Sequence, residues 1–163
     1  MRQSEKLMTA LLKMHHIAGP TKIQTERQNS VYEGMTFVVG NTTFRSRLAK
    51  KTPKKKGYFT ALWEQPHEKN QAYSLSGYPD KLMITVLDGK QKGQFVFPSS
   101  VLVANGIIKT ETTAGKMAFR VYPPWVQDLN PTASRTQNWQ TPYFLDLSEP
   151  LKQTETLEKF YFH

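Results

Sequence analysis

The spacing of apolar residues predicts a helix near the start of the chain. Leu7, Leu11 and Leu12 recur at helical spacing in a segment that runs from Ser4 to about Ala18, and a Gly-Pro pair follows it. The next segment, "TKIQTERQNSVYEG", is polar and shows no clear period. It is therefore interpreted as a loop or a second short helix.

From residue 35 onward the apolar residues alternate with polar ones, which is typical of strands. A Gly-Asn turn joins "MTFVV" to "TTFRSRLAK", and an Asp-Gly turn joins "KLMITVL" to "GQFVFP". Both turn dipeptides favour β-hairpins. Between the two hairpins, "GYFTALW" predicts a further strand and "HEKNQAYSLSGYPD" predicts a loop.

The last third of the chain alternates helices and strands. The pattern predicts a short helix at "SSVLVANG", a strand at "KMAFRVYPPW", a helix at "ASRTQNWQ", a strand at "YFLDL" and a terminal helix at "TETLEKFYF". There is neither an internal repeat nor a Gly/Ser linker. We therefore expect one domain over residues 1–163, with an α+β fold whose sheet is mostly antiparallel.

Strand alternation bears on the most basic part of the sequence, residues 45–56, which holds seven Lys and Arg and no acid. Phe44, Ser46 and Leu48 fall on one face of the predicted strand, and Arg45 and Arg47 fall on the other. The arginines are thus expected on a sheet and not in a tail. This predicts a basic sheet face.

Composition narrows the class of partner. The chain of 163 residues has a formal net charge of +9 and no cysteine. The charge favours polyanions, nucleic acid first, and the missing cysteines exclude disulfides and thiolate metal sites. No apolar run of membrane-spanning length and no signal peptide is recognised. We expect a cytoplasmic protein without a membrane partner.

Nucleic-acid binding is the interpretation that the side chains favour. Lysine and arginine neutralise phosphates, and nearby aromatic rings stack on bases. The candidate residues for such a site are Arg45, Arg47, Lys50, Lys51, Lys54, Lys56, Trp63, Lys116, Arg120, Tyr122, Arg135, Gln137, Trp139 and Gln140. The competing interpretation, core packing, is the stronger one for each tryptophan alone.

The sequence also contains a match to a nuclease motif. Pro79-Asp80 and Asp88-x-Lys90 match the written form of the PD-(D/E)XK signature. However, Asp80 and Asp88 would lie at opposite ends of one strand, roughly 26 Å apart at ~3.3 Å per residue. That separation prevents them from sharing a metal ion. The four scattered histidines give no zinc spacing.

Four ordered blocks carry a resemblance to a known family. "RLAKKTPKKKGYFTALW", "GQFVFPSSVL", "GKMAFRVYPPW" and "TQNWQTPYF" resemble the MepB family of small bacterial proteins, one of which is encoded beside a multidrug efflux pump. The resemblance implies a mixed central sheet flanked by helices, similar to PD-(D/E)XK endonucleases but with a degenerate active site. It also implies nucleic-acid binding without catalysis. From the cationic and aromatic residues we expect DNA or RNA as the ligand, single strands included, and no cofactor.

Two alternatives stay open. One is a metal-dependent nuclease that uses unconventional acids such as Glu26, Asp80 or Asp88. The other is a pocket for a small anion or drug, lined by "TQNWQ" and "GKMAFRVYPPW". The preferred site further predicts that Arg47, Lys50, Arg120 and Gln140 converge on one concave face.

Overall fold

The structure, a computed structural model, describes residues 1–163, with the side chain of residue 151 left out. The helices are α1 (Gln3–Met14), α2 (Ser99–Ala104), α3 (Pro131–Gln140) and α4 (Thr154–Phe162), with short 3₁₀ helices at Arg27–Tyr32, Thr141–Tyr143 and Pro150–Gln153. The strands are β1 (Thr21–Thr25), β2 (Met35–Val39), β3 (Thr42–Lys51), β4 (Tyr58–Ala61), β5 (Lys81–Asp88), β6 (Gln91–Pro98), β7 (Ala118–Val121) and β8 (Phe144–Asp146).

The eight strands form a mixed sheet that branches at β3. The main path runs β1-β2-β3-β5-β6-β8, and β4 and β7 extend from the far end of β3. Only β3 and β5 run parallel, and all other strand pairs are antiparallel. Because β3 pairs with β2 through its first half and with β4 through its last two residues, it connects both parts of the sheet.

The sheet separates two apolar cores that share its central strands. One core contains Leu82, Ile84 and Phe97 on the face covered by α2, α3 and the long loop after β4. The other contains Phe44 and Met83, together with apolar side chains of α1 and α4. Strand β5 is buried on both faces over its first six residues, which explains why its sequence is apolar almost throughout.

The predicted α+β class and the mixed sheet flanked by helices are confirmed. Both hairpins form as the turns predicted, with Asp88 paired to Gln91 across the Asp-Gly turn. The interpretation of residues 21–34 was wrong in part, since this segment holds strand β1 as well as a 3₁₀ helix. All five residues of β1 are exposed, so no apolar alternation marks the strand in the sequence.

Helix α1 ends earlier than its Gly-Pro signal suggested. The helix stops at Met14, and His16 adopts a left-handed φ of 56°. The amides of His16 and Ile17 donate to the carbonyls of Lys13 and Leu12, which closes the last turn. Within the described residues, no helix combines the length and the apolar composition that crossing a membrane requires.

Candidate nucleic-acid interface

Arg45 and Arg47 share one carboxylate beneath the surface. Arg45 donates its Nε to Glu26 at 2.7 Å, and Arg47 donates an Nη to the other oxygen of Glu26 at 2.6 Å. Tyr73 also donates its hydroxyl to Glu26, at 2.7 Å. Both arginines project from β3 toward the first core, where the loop carrying Tyr73 covers them.

The expectation that Arg47 lies on an open basic face is therefore wrong. Its side chain is 0% exposed, and it also donates to the carbonyls of Ser46 and Ala61. Burial alone would raise the pKa of Glu26, but the Arg47 and Arg45 guanidinium groups outweigh burial and lower that pKa below 4.5. The carboxylate is thus held ionised as the counter-charge of the arginines.

The lysines at the end of β3 and in the turn after it divide into those with a partner and those without one. Lys51 pairs with Asp88 at 2.9 Å, and Lys56 donates to the carbonyls of Gln127 and Asp128, both at 2.9 Å. The ammonium groups of the remaining lysines find no ion pair or hydrogen bond among the described residues, and all of them are exposed: Lys50, Lys54 and Lys55. These free cations are suited to an external anion.

Arg120 of β7 fastens residues 50–56, which we call the lysine segment, to its strand. Its terminal nitrogens donate to the Thr52 hydroxyl at 2.7 Å and to the carbonyl of Lys56 at 3.2 Å. Phe59 pairs with Lys50 on one side and with Arg120 on the other, so the three side chains share one face of the sheet. The Arg120 guanidinium lies 5.7 Å from the centre of the Phe59 ring. A basic and aromatic sheet face does exist, but it lies on β4, β7 and the end of β3.

Two adjoining clefts border β7 and α3. The first, of about 500 Å³, lies between the lysine segment and the first turn of α3; it is lined by Lys54, Lys55, Lys56, Arg120, Asp128 and Thr132, among others. The second lies farther along β7 and is lined by Lys116, Ala118 and Trp139, among others. Arg120, Tyr122 and Thr136 line both. We call the two clefts together the basic groove; their linings include five cationic residues and one acid, Asp128.

The glutamines of α3 support the groove from behind. Gln140 is fully buried, accepts from the amide of Tyr122 at 2.9 Å and donates to the carbonyl of Arg120 at 2.9 Å. Gln137 donates to the carbonyls of Pro123 and Val126. The side-chain NH₂ groups of both glutamines are therefore occupied within the protein. Arg135 is exposed on α3 and donates to the Thr132 hydroxyl at 3.4 Å.

The aromatic candidates lie at different depths. Trp139 is half-buried against Phe97, with ring centres 5.3 Å apart, and also lines the groove. Tyr122 is buried. Trp63 lies outside the groove, in a separate cleft with Arg27 and Gln28. Phe59, which no pattern marked as a candidate, contacts Arg120 beside the groove.

The predicted convergence of Arg47, Lys50, Arg120 and Gln140 is wrong. Arg47 and Gln140 are buried, on different parts of the fold, and only Lys50 and Arg120 reach the same surface. Sequence alternation placed Arg47 on the correct side of its strand. It carried no information about Glu26, which lies 21 residues earlier in the chain.

The acids of the nuclease alternative are each held by other partners. Glu26 binds the two arginines, Asp80 accepts from the amide and hydroxyl of Thr43, and Asp88 accepts from Tyr58 and Lys51. As expected, Asp80 and Asp88 lie at opposite ends of β5. Among the described residues, no group of three or more His, Asp and Glu is arranged to hold a metal ion.

Comparison with known proteins places these features in a family. Residues 26–146 match the MepB-like family. A solved structure described as the crystal structure of MepB is 43% identical, with a TM-score of 0.79, and the alignment covers 90% of this chain and 97% of that one. No curated protein matches the chain.

Proposed function

We propose that this chain, which belongs to the MepB-like family, binds nucleic acid in the basic groove without cleaving it. The observation that carries the proposal is the lining of the groove. Two free lysines, Lys54 and Lys55, stand beside Arg120 on one side of a cleft, and the first turn of α3 forms the other side. The dipole of α3 favours an anion at its N-terminus, but the Ala133 amide is already bound by Asn130, so the direct donors to a phosphate backbone come from the lysine side.

The aromatic residues favour single strands as the ligand. Trp139 lines the groove, and Phe59 lies beside Arg120. A single strand has unpaired bases that stack on such rings while its phosphates contact the cations. We therefore expect single-stranded DNA or RNA to bind more tightly than duplex DNA. We also propose that the protein acts in the cytoplasm.

A likeness of the fold to PD-(D/E)XK endonucleases, with a degenerate active site, is part of the same proposal. The arginine pair on β3 and Asp88 at its hairpin turn have structural roles within the fold. No cleavage is assigned, because Glu26, Asp80 and Asp88 all have other partners. Incubation with plasmid and single-stranded substrates plus Mg²⁺ or Mn²⁺ checks this; cleavage that disappears in an acid variant would establish an enzyme.

Binding is tested by fluorescence anisotropy with labelled single-stranded DNA, RNA and duplex DNA at several salt concentrations. The double variant Lys54→Gln/Lys55→Gln should weaken binding and lower the slope of log K against log salt by about 1.4, at ~0.7 per phosphate contact on single strands. The matched control is Lys90→Gln/Lys92→Gln, which removes the same charge from exposed positions in the β5–β6 turn and at the start of β6.

The two double variants separate groove binding from diffuse attraction. The control variant should keep the salt slope of the unchanged protein. Equal losses in both variants would mean that net charge alone governs binding, and the groove would have no role. Absence of binding at low salt would reject nucleic acid as the ligand.

A further inference from the structure

A second anionic ligand is indicated on the opposite part of the sheet, around Arg45. A bay of about 380 Å³ opens there over β2 and β3, with the loop containing Tyr78 as one wall. Thr36, Thr43 and Arg45 contribute to its floor and Lys22 to its rim. The basic groove has no lining residue in common with this bay, so a ligand of the bay is independent of the proposed function.

The charge balance beneath the bay is uneven. Arg45 and Arg47 both pair with Glu26, and neither makes another ion pair among the described residues. Two guanidinium groups against one carboxylate leave a surplus of one positive charge in a largely buried place. Such a charge is costly unless a counter-charge approaches it.

The surplus is located at Arg45 because Arg47 has its hydrogen bonds satisfied. Arg47 uses all three of its nitrogens, on Glu26, Tyr73 and two carbonyls. Arg45 uses its Nε alone, so its two terminal nitrogens donate to no described residue. Its side chain is 14% exposed, which lets a small ligand reach those nitrogens from the bay.

The Arg45 guanidinium is also held in a fixed orientation. Its central carbon lies 3.8 Å from the centre of the Tyr73 ring and 4.9 Å from that of Tyr78. The hydroxyl of Tyr78 is buried and makes no hydrogen bond to a described residue. A planar guanidinium edge that is held in place recognises two oxygens of one anion, as in carboxylate and phosphate binding.

The carboxylate of Asp80 flanks the bay, so its negative charge enters the charge balance there. Asp80 accepts bonds from the amide and hydroxyl of Thr43, at 2.9 Å and 3.0 Å, so its Oδ2 is already occupied. Lys22 at the rim supplies a further positive charge. Lys22, Arg45, Arg47, Glu26 and Asp80 together carry a net charge of +1, so an oxyanion is favoured over a cation.

We propose that this bay binds the oxyanion group of a small molecule, a carboxylate or a phosphate, through the terminal nitrogens of Arg45 with Lys22 at the rim. The volume of the bay exceeds that of one such group, so the ligand would have a body beyond its anionic end. This site differs from the pocket suggested by the sequence at "TQNWQ" and "GKMAFRVYPPW", which belongs to the basic groove.

The test is an NMR titration of the ¹⁵N-labelled protein with inorganic phosphate and, separately, acetate, against chloride at matched ionic strength. Saturable shifts are expected for the backbone amides of residues 36–38, 43–45 and 77–78. Arg45→Lys keeps the charge but loses the two-nitrogen edge and should bind about tenfold more weakly. Lys22→Gln, at an exposed position, should weaken binding a few-fold.

Two controls locate the effect. Lys90→Gln removes an exposed lysine elsewhere and should leave the affinity unchanged. Lys54→Gln/Lys55→Gln should also leave it unchanged while reducing nucleic-acid binding, which distinguishes the bay from the groove. The proposal is overturned if neither anion shifts the bay amides saturably, if only groove amides respond, or if both Arg45→Lys and Lys22→Gln bind as the unchanged protein does.

Discussion

At the scale of single residues, Arg47 shows how a basic side chain becomes part of a core. Its guanidinium is fully buried, and each of its nitrogens has an acceptor on Glu26, Tyr73 or the backbone. Removing one member of such a buried set leaves the remaining charge without compensation. Arg47 therefore contributes to stability, and any effect of its loss on ligand binding would be indirect.

Replacing Arg47 with alanine should lower the free energy of unfolding by about 3–5 kcal/mol, because Glu26 would lose a buried partner and a cavity would form. Urea denaturation measures this. The control, Lys50→Ala on the exposed end of the same strand, should change stability by less than ~0.5 kcal/mol. An Arg47→Ala protein as stable as the control would show that the arginine pair does not hold β3 in place.

Glu26 gives the molecule a defined acid sensitivity. Its pKa in the folded state is lowered, so the folded state binds fewer protons than the unfolded chain near that pKa. The stabilisation from Glu26 is therefore complete above the ordinary pKa of 4.5 and is lost as the pH falls through the lower folded value. The difference in unfolding free energy between the unchanged protein and Glu26→Gln should shrink from pH 7 to pH 3, by chemical denaturation at each pH. A constant difference would contradict an ionised Glu26.

Residue roles were the part of the site least accessible from sequence. Alternation correctly put Arg45 and Arg47 on the same side of β3, since that depends only on strand geometry. Whether that side faced water depended on Tyr73 and Glu26, which approach from distant segments. Lys54 needed no tertiary information, because a charged residue in a polar turn is exposed in most folds.

At the scale of elements, the turn between β3 and β4 is a constrained loop with free charges on it. Arg120 and Lys56 tie it to neighbouring segments. Gly57, which closes the turn, has a left-handed φ of 81°. Constraint of this kind lowers the entropy lost when the free lysines meet a ligand.

Gly57→Ala should distort this turn. A Cβ at this position would lie 2.7 Å from the Tyr122 ring, in addition to the cost of left-handed φ for alanine. We expect destabilisation by about 2–4 kcal/mol and weaker nucleic-acid binding. Gly77→Ala is the matched control, since it has a similar φ of 73° but open space around the new atom, and should cost only ~1 kcal/mol. Equal costs would show that contact with Tyr122 is unimportant.

Elements were predictable where their signals were local. The two hairpins combine alternation with a turn dipeptide, and both occur as expected. Strand β1 has no such signal because it is fully exposed and is held by pairing with β2. The parallel pairing of β3 with β5 joins segments far apart in the chain, which a pattern within either segment cannot specify.

At the scale of the whole molecule, two cores depend on the same strands. Ile84 of β5 packs into one core and Met83 into the other. Because β3, β5 and β6 form one wall for both, loss of either core would remove support from the other. We expect the chain to unfold as one cooperative unit.

The substitution Leu157→Ala in α4 tests this coupling, because Leu157 lies in the core that is remote from the basic groove. Leu157 is fully buried in the second core, and its truncation should cost about 2–5 kcal/mol. Trp125 and Trp139 pack against the first core, so tryptophan fluorescence and far-UV circular dichroism should shift together. Glu158→Ala, at an exposed position on the same helix, is the control. A fluorescence transition that stays in place while the dichroism transition moves would mean that the cores unfold separately.

The side-chain amide of Gln140 affects whether copies of this chain can associate through their sheets. Strand β7 ends the branch of the sheet, and its outer edge would otherwise present the amide of Tyr122 and the carbonyl of Arg120 to any passing strand. Open sheet edges are places where chains add to one another and aggregate. By occupying both groups, one glutamine side chain takes the place of a ninth strand, and it closes part of this edge to strand addition by a second copy of the chain.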